Sequence, residues 1–261
     1  MFLNMSKNIY SDGNYIRLNP TLHEEDSDYK FLYIKILLKN LCFEKDTIRV
    51  LDVGGGAGVV AAKVCDYLNT HYDKSIECHA LDLSADMLEF QKSNNKYCTY
   101  TTTDIKNIHS FPRYDLVLII DVIEHVEKAS EIAKKLDELS CYAIYNVPLE
   151  KNLFDWMRNI YMKGMYYKAQ TQTLGHVHFF SFLSAKSFLK KHHHLLNYIS
   201  PDFCGHILGS SHQDNVRQRK NKLRLFELKV SKWIYKKLHV FSPYIIQGSL
   251  FALTKSNSWK K

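Results

Sequence analysis

The stretch Ile48-Arg49-Val50-Leu51-Asp52-Val53-Gly54-Gly55-Gly56-Ala57-Gly58 decides the fold. Its first half is a short apolar run that reads as a buried strand. Its second half holds four of the chain's ten glycines, and a helical pattern from Val59 to Leu68 follows at once. Glycine at such a junction lets backbone turn tightly and approach a ligand with no Cβ in the way. The helix N-terminus adds free N–H groups and a partial positive charge. Alone, a glycine loop after a strand points only to a nucleotide-like ligand.

Strand and helix patterns alternate outward from this junction. Upstream, Asp26 or Ser27 can cap a helix bearing Phe31, Ile34, Leu37, Leu38 and Leu41. Downstream, Glu77 to Leu83 is strand-like, and Ser84-Ala85-Asp86 opens a helix with Met87, Leu88 and Phe90. Tyr97 to Thr103 is β-rich, Tyr114 to Ile120 a buried strand, Ile123 to Leu139 a helix, and Cys141 to Val147 a strand closed by Pro148. This alternation predicts an α/β fold with a doubly wound, mostly parallel sheet covered on both faces. Right-handed crossovers then align the strand C-termini along one edge.

Each of four predicted strand ends carries an acid: Asp52, Asp82, Asp104 and Asp121. Asp52, two residues before the first loop glycine, would repel a pyrophosphate and favour a cation-bearing ligand. Asp82 is placed to take both hydroxyls of a ribose, and Asp104 to accept from the exocyclic amine of adenine. The ligand this suits has an adenosine, an ammonium and a positive centre. A nicotinamide cofactor fits less well, because its ribose acid is expected about 20 residues after the loop, whereas Asp82 stands 28 after Gly54.

Val50-Leu51-Asp52-Val53-Gly54-Gly55-Gly56-Ala57-Gly58 resembles the signature of class I S-adenosylmethionine-dependent methyltransferases. Tyr114-Asp115-Leu116-Val117 through Asp121-Val122-Ile123-Glu124-His125-Val126 is similar to their fourth-strand motif, and Asn19-Pro20-Thr21-Leu22-His23-Glu24-Glu25-Asp26-Ser27 to a lead-in of some bacterial small-molecule members. The resemblance implies a seven-stranded Rossmann-like sheet and S-adenosylmethionine as cofactor. Asp52, Gly54, Gly56 and Gly58 would hold its methionine end, Asp82 the ribose and Asp104 the adenine, with Leu83 and Ile105 also cofactor-binding and Asp121 at the reaction rim. The likeness is strongest over residues 48–150. It is specific for the cofactor and says little of the acceptor.

His125 follows the fourth strand and is the candidate base, since an unperturbed histidine near pKa ~6.5 suits removal of a hydroxyl proton. Capping its own helix is the structural alternative. Ubiquinone-pathway O-methyltransferases and small-RNA 2′-O-methyltransferases are similar in the Glu124-His125 arrangement, and some use metal there. Here no metal is expected, with His176 and His178 flanking a turn instead. The expected activity is methyl transfer to a small-molecule or lipid-linked acceptor, at oxygen ahead of nitrogen or carbon. An RNA methyltransferase, a nicotinamide-dependent oxidoreductase and a non-catalytic membrane or nucleic-acid binding module are the alternatives.

Composition bounds these readings. The chain has 261 residues, 46% hydrophobic and 24% charged, which suits one globular domain with insertions and excludes a disordered tail, a collagen-like fibre or a coiled-coil rod. Six scattered cysteines without a CxxC pair argue for reduced thiols rather than a disulfide framework or zinc ribbon. The sequence has no apolar run of membrane-spanning length and opens unlike a signal peptide, so a cytoplasmic protein, with peripheral membrane contact as an option, is expected. Three segments follow: a lead-in and helix over 1–47, a cofactor-binding core over 48–150, and a lid, closing strands and basic insert over 151–261.

The net charge of +8 is unevenly placed. Residues 203–261 hold 12 Lys or Arg against two acids, and the remainder 23 against 25. Over 217–241 cations interleave with Leu223, Phe226, Trp233 and Phe241. That pattern fits an amphipathic helix at an anionic membrane surface, with nucleic acid a less favoured partner and a solvated helix face the plainest reading. The aromatic stretch Phe154 to Tyr167 lies where a substrate lid is expected, and ordinary packing of an inserted helix is its simplest account.

Overall fold

The computed structural model describes residues 26–108 and 111–258. The expected lead-in up to Glu25 lies outside them. In chain order the elements are α1 (Ser27–Leu38), β1 (Thr47–Val53), α2 (Val59–Tyr72), β2 (Ser75–Leu81), α3 (Ala85–Asn94), β3 (Cys98–Thr102), α4 (Ile105–Ile108), β4 (Tyr114–Ile120), a 3₁₀ turn (Ile123–His125), α5 (Ala129–Leu139) and β5 (Ser140–Leu149). They continue as α6 (Leu153–Tyr161), α7 (Tyr166–Leu174), α8 (Phe182–His192), β6 (His194–Ile199), α9 (Phe203–Gly209), α10 (Gln213–Lys220), α11 (Lys222–Leu238), α12 (Ser242–Ile245) and β7 (Gly248–Lys255).

One seven-stranded sheet runs β3-β2-β1-β4-β5-β7-β6. β1 pairs parallel with β2 and β4, and β7 pairs antiparallel with β5 and β6. The expected doubly wound α/β architecture is therefore present. Successive residues of the central strands point to opposite faces, so each face has its own core. Leu51, Val53, Val117 and Ile119 pack with Ile132 and Leu136 of α5 and Leu189 of α8. Ile48, Val50, Leu116 and Leu118 pack with Ile34 and Leu38 of α1 and Val64 and Leu68 of α2. Burial on both sides is why these strands read as continuous apolar runs. The strand order reverses between β1 and β4, and a crevice at their carboxyl ends follows from that topology.

The sequence reading misses four local features. The expected helix from Ile123 begins only at Ala129, after the 3₁₀ turn. The Glu124 carbonyl accepts the N–H groups of Val177 and His178 at 2.9 and 3.0 Å, instead of closing a helical turn with Lys128. The aromatic stretch Phe154 to Tyr167, expected as an inserted helix, breaks into α6 and α7 at Lys163 and Gly164, both left-handed. Pro148 stands inside β5, opposite Ser249, rather than ending it. The paired stretch of β4 has by then ended opposite Asn146, which leaves a side where no N–H is required. Of the expected closing strands, the last runs over Ile245 to Thr254 by its apolar pattern, but Ile245 belongs to α12, which has proline in its first turn, and β7 starts only at Gly248.

Leu118 is fully buried in the centre of the sheet. Leu118→Ala is expected to lower folding stability by about 2–5 kcal/mol, measured by urea denaturation.

Candidate active site

Asp52 is 3% exposed near the end of β1, and one of its carboxylate oxygens, Oδ2, has no hydrogen-bond partner. Burial, and then the nearby charge of Asp82, pushes its pKa up to about 7. The chain turns tightly against this carboxylate. A Cβ on Gly55 would lie 1.8 Å from Asp52 Oδ2, so only glycine fits there. Gly56 has φ +56°, which disfavours any side chain, and open space where a Cβ would stand. Gly54 faces Val122, and Gly58 is the N-cap residue of α2, close against Gln91.

Asp82 follows β2 and receives the backbone N–H groups of Ser84, Gly56 and Leu83. Burial outweighs these bonds and raises its pKa to about 6. The Gly56 contact ties the glycine loop to the second strand end. Asp104 is exposed beyond β3, with Oδ1 accepting from the Lys106 N–H at 2.9 Å, and Ile105 is buried beside it. The four predicted acids thus follow one another along the carboxyl edge of β3, β2, β1 and β4.

Asp121 is held more tightly than the sequence suggests. Its backbone has φ +55°, uncommon for a residue with a side chain. Asn146 Nδ2 donates to Asp121 Oδ1 at 2.6 Å, and the Asp121 N–H donates to the Asn146 carbonyl at 3.1 Å. Lys30 of α1 pairs with Asp121 Oδ2 at 2.9 Å. Neither Lys30 nor Asn146 is apparent from the sequence, because each reaches the site from a distant element.

Beside Asp121 stand Glu124, His125, Glu150 and His176. The His125 and His176 rings meet edge to face, with centroids 4.7 Å apart. His176 Nδ1 lies 2.8 Å from Glu150 Oε2, which orients the ring. Glu124 is 1% exposed, its Oε2 has no partner, and burial together with the charges of Asp121 and Glu150 holds its pKa well above the usual carboxylate range. Among the described residues, Glu124, His125 and His176 offer ligand atoms within 4.8 Å of one another, a spacing able to hold a divalent cation. His178 does not join them; its Nε2 lies 2.9 Å from the Val126 carbonyl. Glu150 and Gly55 complete the residues that sequence reasoning did not single out.

A cavity of about 310 Å³ is bounded by Asp52, Gly54, Gly56, Asp121, His125 and His176, among others. Gly58, Asp82, Leu83, Asp104 and Ile105 lie outside that lining. Asp82 and Asp104 continue the same sheet edge. The cavity is thus the end of the crevice near Asp52 and the histidines.

Residues 51–140 match a protein family described as "Methyltransferase domain". Together with the sheet order, this gives the chain the class I S-adenosylmethionine-dependent methyltransferase fold. A curated relative, the mitochondrial ubiquinone biosynthesis O-methyltransferase of Candida albicans, is 27% identical over 127 residues, covering 44% of this chain and 37% of that protein. The match therefore spans little more than a third of the relative's length. Among solved structures, a SAM-dependent methyltransferase from Archaeoglobus fulgidus superposes with TM-score 0.52 at 16% identity, covering 92% of this chain and 99% of that one. A Haemonchus contortus phosphoethanolamine N-methyltransferase gives TM-score 0.52 at 14% identity, covering 87% of this chain and 52% of that one.

The raised pKa values of Asp52 and Asp82 set a pH dependence for the ligand-free protein. Unfolded aspartate titrates near about 4, so between there and about 7 the folded chain binds more protons than the unfolded one. Stability is then expected to fall as pH rises through that window. Asp52→Asn should flatten the decline in urea midpoints measured across it.

Proposed function

We propose that the protein transfers a methyl group from S-adenosylmethionine to an oxygen of a small-molecule or lipid-linked acceptor. The observation that carries this reading is the buried Asp52 carboxylate, with one oxygen unpartnered, against a glycine turn that leaves open space at Gly56. These residues fit the cofactor: an unsatisfied buried acceptor suits its cationic methionine end, and an uncovered backbone turn allows close approach. When bound, S-adenosylmethionine supplies a methyl group activated on a sulfonium.

The chain's own residues do the rest. Asp52 and the loop at Gly54, Gly56 and Gly58 hold the methionine end. Asp82 and Leu83 fix the ribose, and Asp104 and Ile105 read the adenine. Asp121, clamped by Lys30 and Asn146, shapes the rim where the acceptor arrives. His125 takes the acceptor's hydroxyl proton, with His176 packed against it and set by Glu150. The walls exclude water and align the acceptor, which supplies much of the rate when the methyl group is already activated. Oxygen is favoured over nitrogen or carbon by the histidine at the rim and by the likeness to an O-methyltransferase.

A second way of activating the acceptor has its own observation. Glu124, His125 and His176 are spaced for a divalent cation, which would lower a hydroxyl's pKa without a free base.

Mass spectrometry of metabolite and lipid extracts incubated with the enzyme and methyl-labelled cofactor should find a labelled product. His125→Ala should lower turnover about 10²- to 10⁴-fold and leave S-adenosylhomocysteine affinity, measured by calorimetry, unchanged. Asp82→Ala should weaken that affinity about tenfold or more. No binding of S-adenosylmethionine or S-adenosylhomocysteine would overturn the reading. Affinity for S-adenosylmethionine should also rise with pH up to about 7, as Asp52 loses its proton. Turnover that survives a chelator assigns the proton to His125, whereas loss restored by Mg²⁺, Mn²⁺ or Zn²⁺ assigns activation to the cation.

A further inference from the structure

Helix α6 faces the wrong way for a helix that packs on a core. Leu153, Trp156, Met157, Ile160 and Tyr161 recur at the spacing of one helix face. That face is solvent-exposed, Trp156 by 58% and Tyr161 by 89%. The opposite face is polar and turned inward. Asp155 is fully buried, and receives Asn152, Arg158 and the Tyr166 hydroxyl, the last at 3.0 Å. Arg158 also pairs with Glu227 of α11. The inward polar face is thus a built network.

α11 shows the same feature with charge added. Leu228, Ser231 and Ile234 are buried, while Leu223, Phe226 and Trp233 are 78%, 66% and 60% exposed. Lys222, Lys229 and Lys236 stand three or four residues from Phe226 or Trp233, hence on the same side of the helix. The one acid of α11, Glu227, is taken by Arg158 and Arg224. Val240 and Phe241 continue the exposed apolar surface beyond the helix. α12 packs against both α6 and α11, so the two stripes belong to neighbouring helices.

We propose that α6, α11 and the 240–241 turn form a docking face for an anionic lipid bilayer. Aromatic and aliphatic side chains would enter the headgroup boundary while the interleaved lysines meet lipid phosphates. Charge complementarity selects this occupant. A second copy of the chain would set lysine-bearing faces against each other, and a nucleic acid would engage the lysines but leave Leu153, Met157, Ile160 and Leu223 without a partner. Among the described residues no helix is long and apolar enough to cross a membrane, so in this proposal α6 and α11 lie along the bilayer surface rather than through it. In the chain the face lies near the cavity: α6 begins shortly after Glu150, and α7 ends at Leu174, just before His176, and Glu150, Leu174 and His176 all line that cavity. Docking rests on these exposed faces and stands whatever acceptor is methylated.

The test is co-sedimentation of the full chain with vesicles of phosphatidylglycerol in phosphatidylcholine, and of phosphatidylcholine alone. Binding is expected to the anionic vesicles at low salt and to weaken as salt rises. Trp156→Glu with Phe226→Glu should reduce it about tenfold or more, and Lys229→Gln with Lys236→Gln should reduce it on anionic vesicles only. Unchanged S-adenosylhomocysteine binding in these variants would show that the crevice, and the function read from it, is intact. Three results overturn the proposal. One is no sedimentation at any salt. Another is a dimer of the wild-type chain that Trp156→Glu turns into a monomer. The third is binding to polyuridylic acid but not to vesicles, lost with the lysines and indifferent to Trp156→Glu.

Discussion

Desolvation of Asp52 is the constraint on which the rest of the site depends. A carboxylate at 3% exposure with an unpaired oxygen is costly to keep ionised, and burial accordingly raises its pKa to about 7. The surrounding chain conforms to it. Gly55 has no Cβ because the carboxylate occupies that space. Gly56 sends its N–H to Asp82, so loop and second strand end are positioned together. A cationic group beside Asp52 would relieve that cost, which is the physical ground for the proposal that this end of the crevice takes the positive end of a ligand.

Much of the fold is legible in the sequence because its causes are local. Strands buried on both faces read as apolar runs, as at Tyr114–Ile120, and glycine marks the turn after β1. The acids at successive strand ends are legible for the same reason: in a parallel sheet, the position after a strand fixes which edge a residue occupies. What stays hidden depends on distant partners. Lys30 reaches Asp121 from α1, Asn146 from β5, and Glu150 orients His176 from 26 positions away. The break in the expected helix after Ile123 has the same origin, since the Glu124 carbonyl is occupied by a loop more than 50 residues downstream.

α6 shows a different limit. Its periodicity is legible, but periodicity gives a helix two faces without saying which turns inward. An apolar stripe normally goes to the core. Here the buried Asp155 and Asn152, with half-buried Arg158, form a polar network on the inward face, and the apolar side is left outside. α11 keeps the ordinary rule on one face, through Leu228 and Ile234, and departs from it on the other.

The segment from Glu150 to Phe180 leaves the sheet and returns to it, and both its ends are clasped. The N–H groups of Glu150 and Lys151 share the Phe180 carbonyl, and those of Val177 and His178 share that of Glu124. The second clasp falls on the residue next to His125. The loop ahead of Phe180 and the 3₁₀ turn that bears this imidazole are therefore joined directly, backbone to backbone, although more than 50 residues separate them.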